Sequence, residues 1–277
     1  VRYSRRALFV AARSGQTIAS VREALDRALA LDPQNAQAIS LSAYLLITDE
    51  KRWDDALVRV QQAVALAPNH AGVNGRHAFI QLCFGHFENA VEAYAHVFSL
   101  DPLAPPARYH YALALACAGR FDEATACLDA GAEALGESIM QREIQCGVLE
   151  LRGDITAASD YAEATLALHP PSTIIAMHAG YCRAAKGDVA GARDLAERIT
   201  RSSSVPQHYA HMYIASGNGD ADVFFEHALA IAEAREPQLL LVPAQPLFRR
   251  FHSDARWPQV LAKIGFPTDT QHRALTP

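Results

Sequence analysis

A spacing of 34 residues is the feature of this sequence that most restricts its fold. Alanines recur at that interval, and a glycine stands five residues before four of them: Ala56, Ala90, Ala124, Ala158 and Ala192, with Gly85, Gly119, Gly153 and Gly187. Lys51 takes the place of the glycine in the remaining unit. Because self-similarity at a fixed period indicates stacked copies of one small structural unit, the sequence predicts a repeat protein.

Each unit is predicted to contain two helices. Every turn position is followed by an amphipathic stretch, such as GHFENAVEAYAHVFSLDP at 85–102. The helix before each turn has a midpoint residue that is small in four of five units: Tyr44, Ala78, Ala112, Cys146 and Gly180. Glycine permits a left-handed turn between the helices, and small residues let the helices cross closely. Prolines end four of the second helices, at Pro33, Pro68, Pro102 and Pro170.

This 34-residue helix pair, with alanine on the second helix and proline at its end, resembles the tetratricopeptide repeat (TPR) family. The resemblance implies an all-α fold, a right-handed α-solenoid of about seven TPR-like helix pairs with a C-terminal capping helical segment. We place the array at 1–236, in units near 1–33, 37–68, 71–102, 105–136, 139–170, 173–204 and 205–236. The cap and tail take 237–277, and an apolar stripe in the cap is predicted to cover the seventh unit: Phe248, Phe251, Trp257, Leu261 and Ile264.

The resemblance also implies a partner-binding groove, because in this family the first helix of each unit lines the concave surface at fixed positions. The 34-residue register transfers those positions to Leu41, Leu45, Arg76, Phe79, Tyr109, His110, Leu113, Met140, Glu143, Glu150, Met177, His178, Tyr181, Tyr209 and Tyr213. A set rich in tyrosine and methionine is typical of recognition surfaces. The alternative for each residue is packing between repeats. Family members that bind chaperone C-termini use lysine and asparagine at groove positions that here hold residues such as Gly75 and Gly147, so that activity is not predicted.

Motifs of catalytic and cofactor sites are missing from the sequence. It has no GxSxG elbow, phosphate-binding GxxxxGK[ST] loop, HExxH or dinucleotide turn, so we predict no catalytic residue, no metal and no cofactor, and a protein that is not an enzyme. His208 and His211 are three apart on a predicted helix and could share a metal, but no third ligand is apparent. Glu143 and Glu150 share a helix face and could act as acid and base, but nothing recognisable would raise a pKa there, so a solvated stripe or a partner contact is favoured.

The net charge and the cysteines indicate which class of partner and which cellular compartment to expect. The formal net charge of −5 argues against direct nucleic-acid binding, which depends on many lysines and arginines. Basic side chains collect near the two ends, so the main surface is expected to favour basic or neutral partners. Five cysteines without a CxxC pair suit a reducing cytoplasm. No apolar run approaches the ~20 residues of a membrane span.

These observations favour a non-catalytic protein–protein interaction or regulatory scaffold that binds a protein or peptide. The closing phrase PLFRRFHSDARWPQVLAKIGFP at 246–267 resembles the end of repeat regions in bacterial adenylate cyclase-like and winged-helix regulator proteins. Since the chain also begins at Val1, we expect the C-terminal part of a larger signalling or transcription-regulating protein, whose upstream domain could be the partner. The alternative is a small-molecule sensor or enzyme with a ligand in the groove over Tyr109, Tyr181 and Tyr209.

Overall fold

The computed structural model describes residues 18–101, 105–202, 207–234 and 240–267. Within them the regular elements are helices, which confirms the all-α class. The α-helices are α1 (Ile18–Leu31), α2 (Ala36–Thr48), α3 (Trp53–Leu66), α4 (Ala71–Cys83), α5 (Phe87–Leu100), α6 (Pro105–Cys117), α7 (Phe121–Leu135), α8 (Ile139–Arg152), α9 (Ile155–Leu168), α10 (Thr173–Ala185), α11 (Val189–Ser202), α12 (Gln207–Asn218), α13 (Ala221–Ala234) and α14 (Trp257–Ile264). A 3₁₀ helix, Pro246–Phe251, precedes α14.

The helices stack in pairs. Each even-numbered helix from α2 to α12 packs against the odd-numbered helix that follows it, and these first helices also contact one another from one unit to the next. The solenoid that the 34-residue period predicts is therefore confirmed. The boundaries of the units and of the cap stay predictions, because residues 1–17 and 268–277 lie outside the described part of the chain.

The repeated residues occupy the places that the pattern assigns to them. The five period-34 alanines are at most 3% exposed. The turn glycines Gly85, Gly119, Gly153 and Gly187 have φ between 78° and 87°, the left-handed region that glycine adopts without strain. Several first helices begin at a side chain that accepts a backbone N–H, as Ser138 does from Gln141. Local sequence and tertiary packing thus agree along the array.

Residues 240–266, which we call the strap, pack on α13 at the end of the array and then reach α3 in the second unit. The Phe251 ring stacks on Phe224 of α13 with centroids 3.8 Å apart. At the other end of the strap, Phe266 lies 4.9 Å from the ring of Trp53 in α3. The sequence predicts a cap on the seventh unit alone, whereas the strap also joins the second unit because the curved array brings its two ends to the same segment.

Candidate functional site

The structure divides the predicted groove residues into two groups. Nine are partly or well exposed: Leu41, Arg76, Phe79, Tyr109, His110, Leu113, Met140, Glu143 and Tyr209. Six are buried: Leu45, Glu150, Met177, His178, Tyr181 and Tyr213. The exposed group is concentrated on α2, α4 and α6, and the buried group on α8, α10 and α12. A partner arriving from solvent therefore meets mainly the first group.

Half-buried side chains of α2, α4 and α6 form what we call the open patch: Leu41, Tyr44, Arg76, Phe79, Tyr109, His110 and Leu113. The rings of Tyr44 and Phe79 are 6.0 Å apart, and those of Phe79 and His110 are 5.6 Å apart in an edge-to-face arrangement. Tyr44 joins the patch although its register position predicts a helix crossing. The aromatic rings of the open patch can provide a partner with a large contact area at a small cost in conformational entropy.

Arg76 gives the open patch a positive charge. Its Nε donates a hydrogen bond of 2.8 Å to the hydroxyl of Ser40, which is fully buried on α2. Burial lowers the pKa of the Arg76 guanidinium to about 10, so the group stays charged at neutral pH. Of the carboxylates in the described residues, none forms an ion pair with it. The patch thus combines aromatic surface with one cation whose charge is not neutralised locally.

A cluster of polar residues lies buried between α8, α10 and α12. We call Glu150, His178, Cys182 and Tyr213 the buried cluster, and each is at most 4% exposed. His178 Nδ1 lies 2.9 Å from both carboxylate oxygens of Glu150. The hydroxyl of Tyr213 donates to Glu150 Oε2 at 2.5 Å, and the Cys182 thiol donates to Oε1 at 3.8 Å. One carboxylate therefore connects three successive units.

Burial and neighbouring carboxyl groups shift the pKa values of two members of the buried cluster, His178 and Tyr213. Burial lowers the pKa of His178, but the charge and hydrogen bond of Glu150, with the charge of Glu143, outweigh it, so the pKa is raised. Burial and Glu150 raise the pKa of Tyr213 well above its usual value. The raised pKa values favour a protonated His178 ring and a neutral Tyr213 hydroxyl, and both groups face the side chain of Glu150. Burial also raises the pKa of Glu143. Because Glu150 is 2% exposed, the expectation of a solvated stripe shared by Glu143 and Glu150 is wrong.

The strap covers this part of the inner face. Phe248 of the strap lies 6.0 Å from the ring of Tyr213. Arg250 donates to the carbonyl of Ser216 at 3.3 Å, and Gln245 bonds to the hydroxyl of Tyr209. The buried cluster is consequently separated from solvent by the chain's own C-terminal segment.

The two histidines of α12 that the sequence singles out are joined by His227 of α13. His208 Nδ1 lies 3.1 Å from His227 Nδ1, and the rings of His211 and His227 are 4.6 Å apart. Burial, followed by His211, lowers the pKa of His227 to about 4. Within the described ranges, no three His, Cys, Asp or Glu side chains are arranged to hold a metal ion. His208 and His227 therefore form an imidazole–imidazole hydrogen bond. The third ring of this group, that of His227, belongs to α13 and not to α12.

Comparisons with known proteins agree with the architecture. Residues 83–137 and 152–206 match the model of the tetratricopeptide repeat family. A search of curated proteins found no match. A tetratricopeptide repeat protein from Parabacteroides merdae is similar in structure, with a TM-score of 0.62 and 14% identity over 92% of this chain and 95% of that one.

Two further solved structures share the fold at lower scores. PilW, a type IV pilus biogenesis factor, has a TM-score of 0.52 and 16% identity over 83% of this chain and 99% of that one. The APC/C hetero-tetramer Cut9–Hcn1 has a TM-score of 0.51 and 15% identity over 91% of this chain and 50% of that one. The family model thus matches two stretches within the array, and the solved structures share its fold. None of the helices described above is both long and apolar enough to cross a membrane.

Proposed function

We propose that this chain is a non-catalytic scaffold that binds a partner protein or peptide through the open patch. The observation that supports this most is the row of half-buried rings on three successive first helices, Tyr44, Phe79 and His110, beside the charged Arg76. Tetratricopeptide repeat proteins generally mediate protein–protein interactions. Aromatic and arginine side chains are enriched among the residues that dominate binding energy at such interfaces.

The buried cluster has a structural role in this proposal. Glu150 is 2% exposed, and its side-chain partners in the described part of the chain, His178, Cys182 and Tyr213, lie in the same core. A catalytic acid and base must come within hydrogen-bond distance of a substrate. The geometry of Glu150 and His178 instead ties the units together. A small ligand over Tyr109, Tyr181 and Tyr209 is not favoured either, because Tyr181 is buried and the strap bonds to Tyr209.

We further propose that the chain is the C-terminal, regulatory part of a larger bacterial signalling or transcription-regulating protein. The support is the phrase at 246–267, which forms the 3₁₀ helix and α14 of the strap. An upstream cyclase or winged-helix domain is then a candidate partner. Direct nucleic-acid binding by this region is not part of the proposal. All five cysteines are free thiols, which suits a cytoplasmic location.

A selection of displayed short random peptides on the full chain tests the patch. We expect the wild type to enrich peptides, and the variant with Phe79→Ala and Tyr109→Ala to recover them at least ~30-fold less well, since central aromatic anchors cost ~2 kcal/mol or more when truncated. Val58→Ala is the control, because Val58 is 67% exposed on the second helix α3 and should not matter. Equal recovery by wild type and the double variant, or no enrichment at all, would show that the patch is not the site.

A further inference from the structure

Lys51 is the exception among the turns of the array, and its surroundings explain why. Its φ of 57° is left-handed, and among the described residues it is the one non-glycine with positive φ. A side chain in this conformation is strained, so a compensating contact is expected. The ammonium of Lys51 donates to the carbonyl of Lys263, near the end of α14 in the strap. The turn that has lysine in place of glycine is thus the turn that the strap contacts.

The strap residue opposite Lys51 is a glycine that cannot easily be replaced. Gly265 has φ 72° and ends α14. A Cβ on Gly265 would lie 2.5 Å from Lys51 Cβ and 3.0 Å from the Lys51 carbonyl oxygen. Trp53 Nε1 donates to the neighbouring carbonyl of Ile264 at 3.3 Å. We call Lys51, Trp53 and Gly265 the latch, since these residues join the strap to the second unit.

The apolar side chains of the strap lie in the core, but two of its polar atoms oppose their own burial. Two of its side-chain atoms, Gln245 Oε1 and His252 Nε2, are buried without a hydrogen-bond partner. A buried polar atom without a partner opposes the arrangement that buries it. Leu241, at the start of the strap, packs against the same apolar cluster as Tyr109 and Leu113 of the open patch. The strap therefore rests on the apolar cluster that also supports part of the open patch, and it covers Tyr213 and Tyr209.

We propose that the strap is a lid over the inner face and that the latch controls how far the groove is open to a partner. With the lid closed, a partner reaches the open patch alone. With the lid released, the tyrosines of α12 join the same surface, so a polypeptide partner binds over more units. This inference rests on the proposed function for the partner, while closure of the lid can be measured without one.

Hydrogen–deuterium exchange of the full chain tests the latch. Lys51→Gly restores the repeat's own turn residue, so it relieves strain in the array while it removes the ammonium that donates to the strap. We expect exchange within 246–264 to become about tenfold faster, with α8 and α10 unchanged and helicity preserved. The control is Lys263→Ala, which keeps the carbonyl that accepts from Lys51 and removes only an exposed ion pair to Glu233.

A fluorescence measurement reports on the same contact. The chain has two tryptophans, so Trp257→Phe leaves Trp53 as the single reporter. Lys51→Gly in that background should shift Trp53 emission to the red as Phe266 leaves its ring. Unchanged strap exchange and emission in Lys51→Gly would overturn the latch without touching the proposed function.

The lid function has its own test. Peptides enriched by the wild type in the display selection should bind Lys51→Gly at least about threefold more tightly. Faster strap exchange without tighter binding would overturn the lid while leaving the latch in place. A selection that enriches no peptide would overturn the proposed function and the lid together, and exchange would still decide on the latch.

Discussion

Removing the hydroxyl of Tyr213 should destabilise the array more than removing any exposed tyrosine hydroxyl. Tyr213→Phe deletes the 2.5 Å bond to Glu150 but keeps the ring that lies 5.3 Å from His178 and 5.4 Å from Tyr181. A hydrogen bond to a charged group contributes about 2 kcal/mol net, and both partners here are at most 3% exposed. We therefore expect the free energy of unfolding to fall by about 2 kcal/mol.

Urea denaturation followed by circular dichroism measures this loss. The matched control is Tyr109→Phe, because the Tyr109 hydroxyl bonds at 2.7 Å to the neutral Ser138 hydroxyl and is half-buried. Tyr109→Phe should lower the free energy of unfolding by about 1 kcal/mol or less. The decisive comparison repeats Tyr213→Phe in a Glu150→Gln background, where the acceptor is neutral and the cost should drop to about 1 kcal/mol. Equal losses in both backgrounds would refute the charge-assisted bond.

Two further predictions concern the same core. The pKa of His178 is raised in the folded chain, so its contribution to stability is fully present below about pH 6.5 and is lost as pH rises through the folded pKa. The urea concentration at the midpoint of unfolding should therefore fall between pH 5 and 9. In His178→Gln this pH dependence should be flattened. Gly180→Ala places a Cβ 2.7 Å from Ile214 Cδ1 and should lower the free energy of unfolding by ~1–3 kcal/mol. Adding Ile214→Val should recover part of that loss. An unchanged free energy of unfolding in Gly180→Ala would contradict the close crossing of the two helices.

The array was predictable because one physical unit recurs. A helix pair that crosses at a small residue and turns at a glycine repeats its requirements every 34 residues, so the buried alanines and left-handed glycines could be identified by spacing alone. Gly180 is small for a reason visible only in three dimensions, namely the side chain of Ile214 in the next unit.

The register names Glu150, His178 and Tyr213 as groove residues, but the period could not show that they contact one another or where the strap runs. His178 and Tyr213 are 28 and 63 residues from Glu150, and neither distance is a multiple of 34. The strap has no repeat, so its return to Trp53 depends on the curvature of the whole array. Lys51 was visible as an exception in the sequence, but the reason for it, the packing against Gly265, required coordinates.

The most direct test of partner binding on the inner face is a hydrogen-exchange footprint of the full chain with a bound partner peptide from the display selection. We expect slower exchange in α4 and α6, residues 71–83 and 105–117, where Phe79 and Tyr109 lie. Protection confined to the second helices at 53–66 and 87–100, with α4 and α6 unchanged, would contradict it.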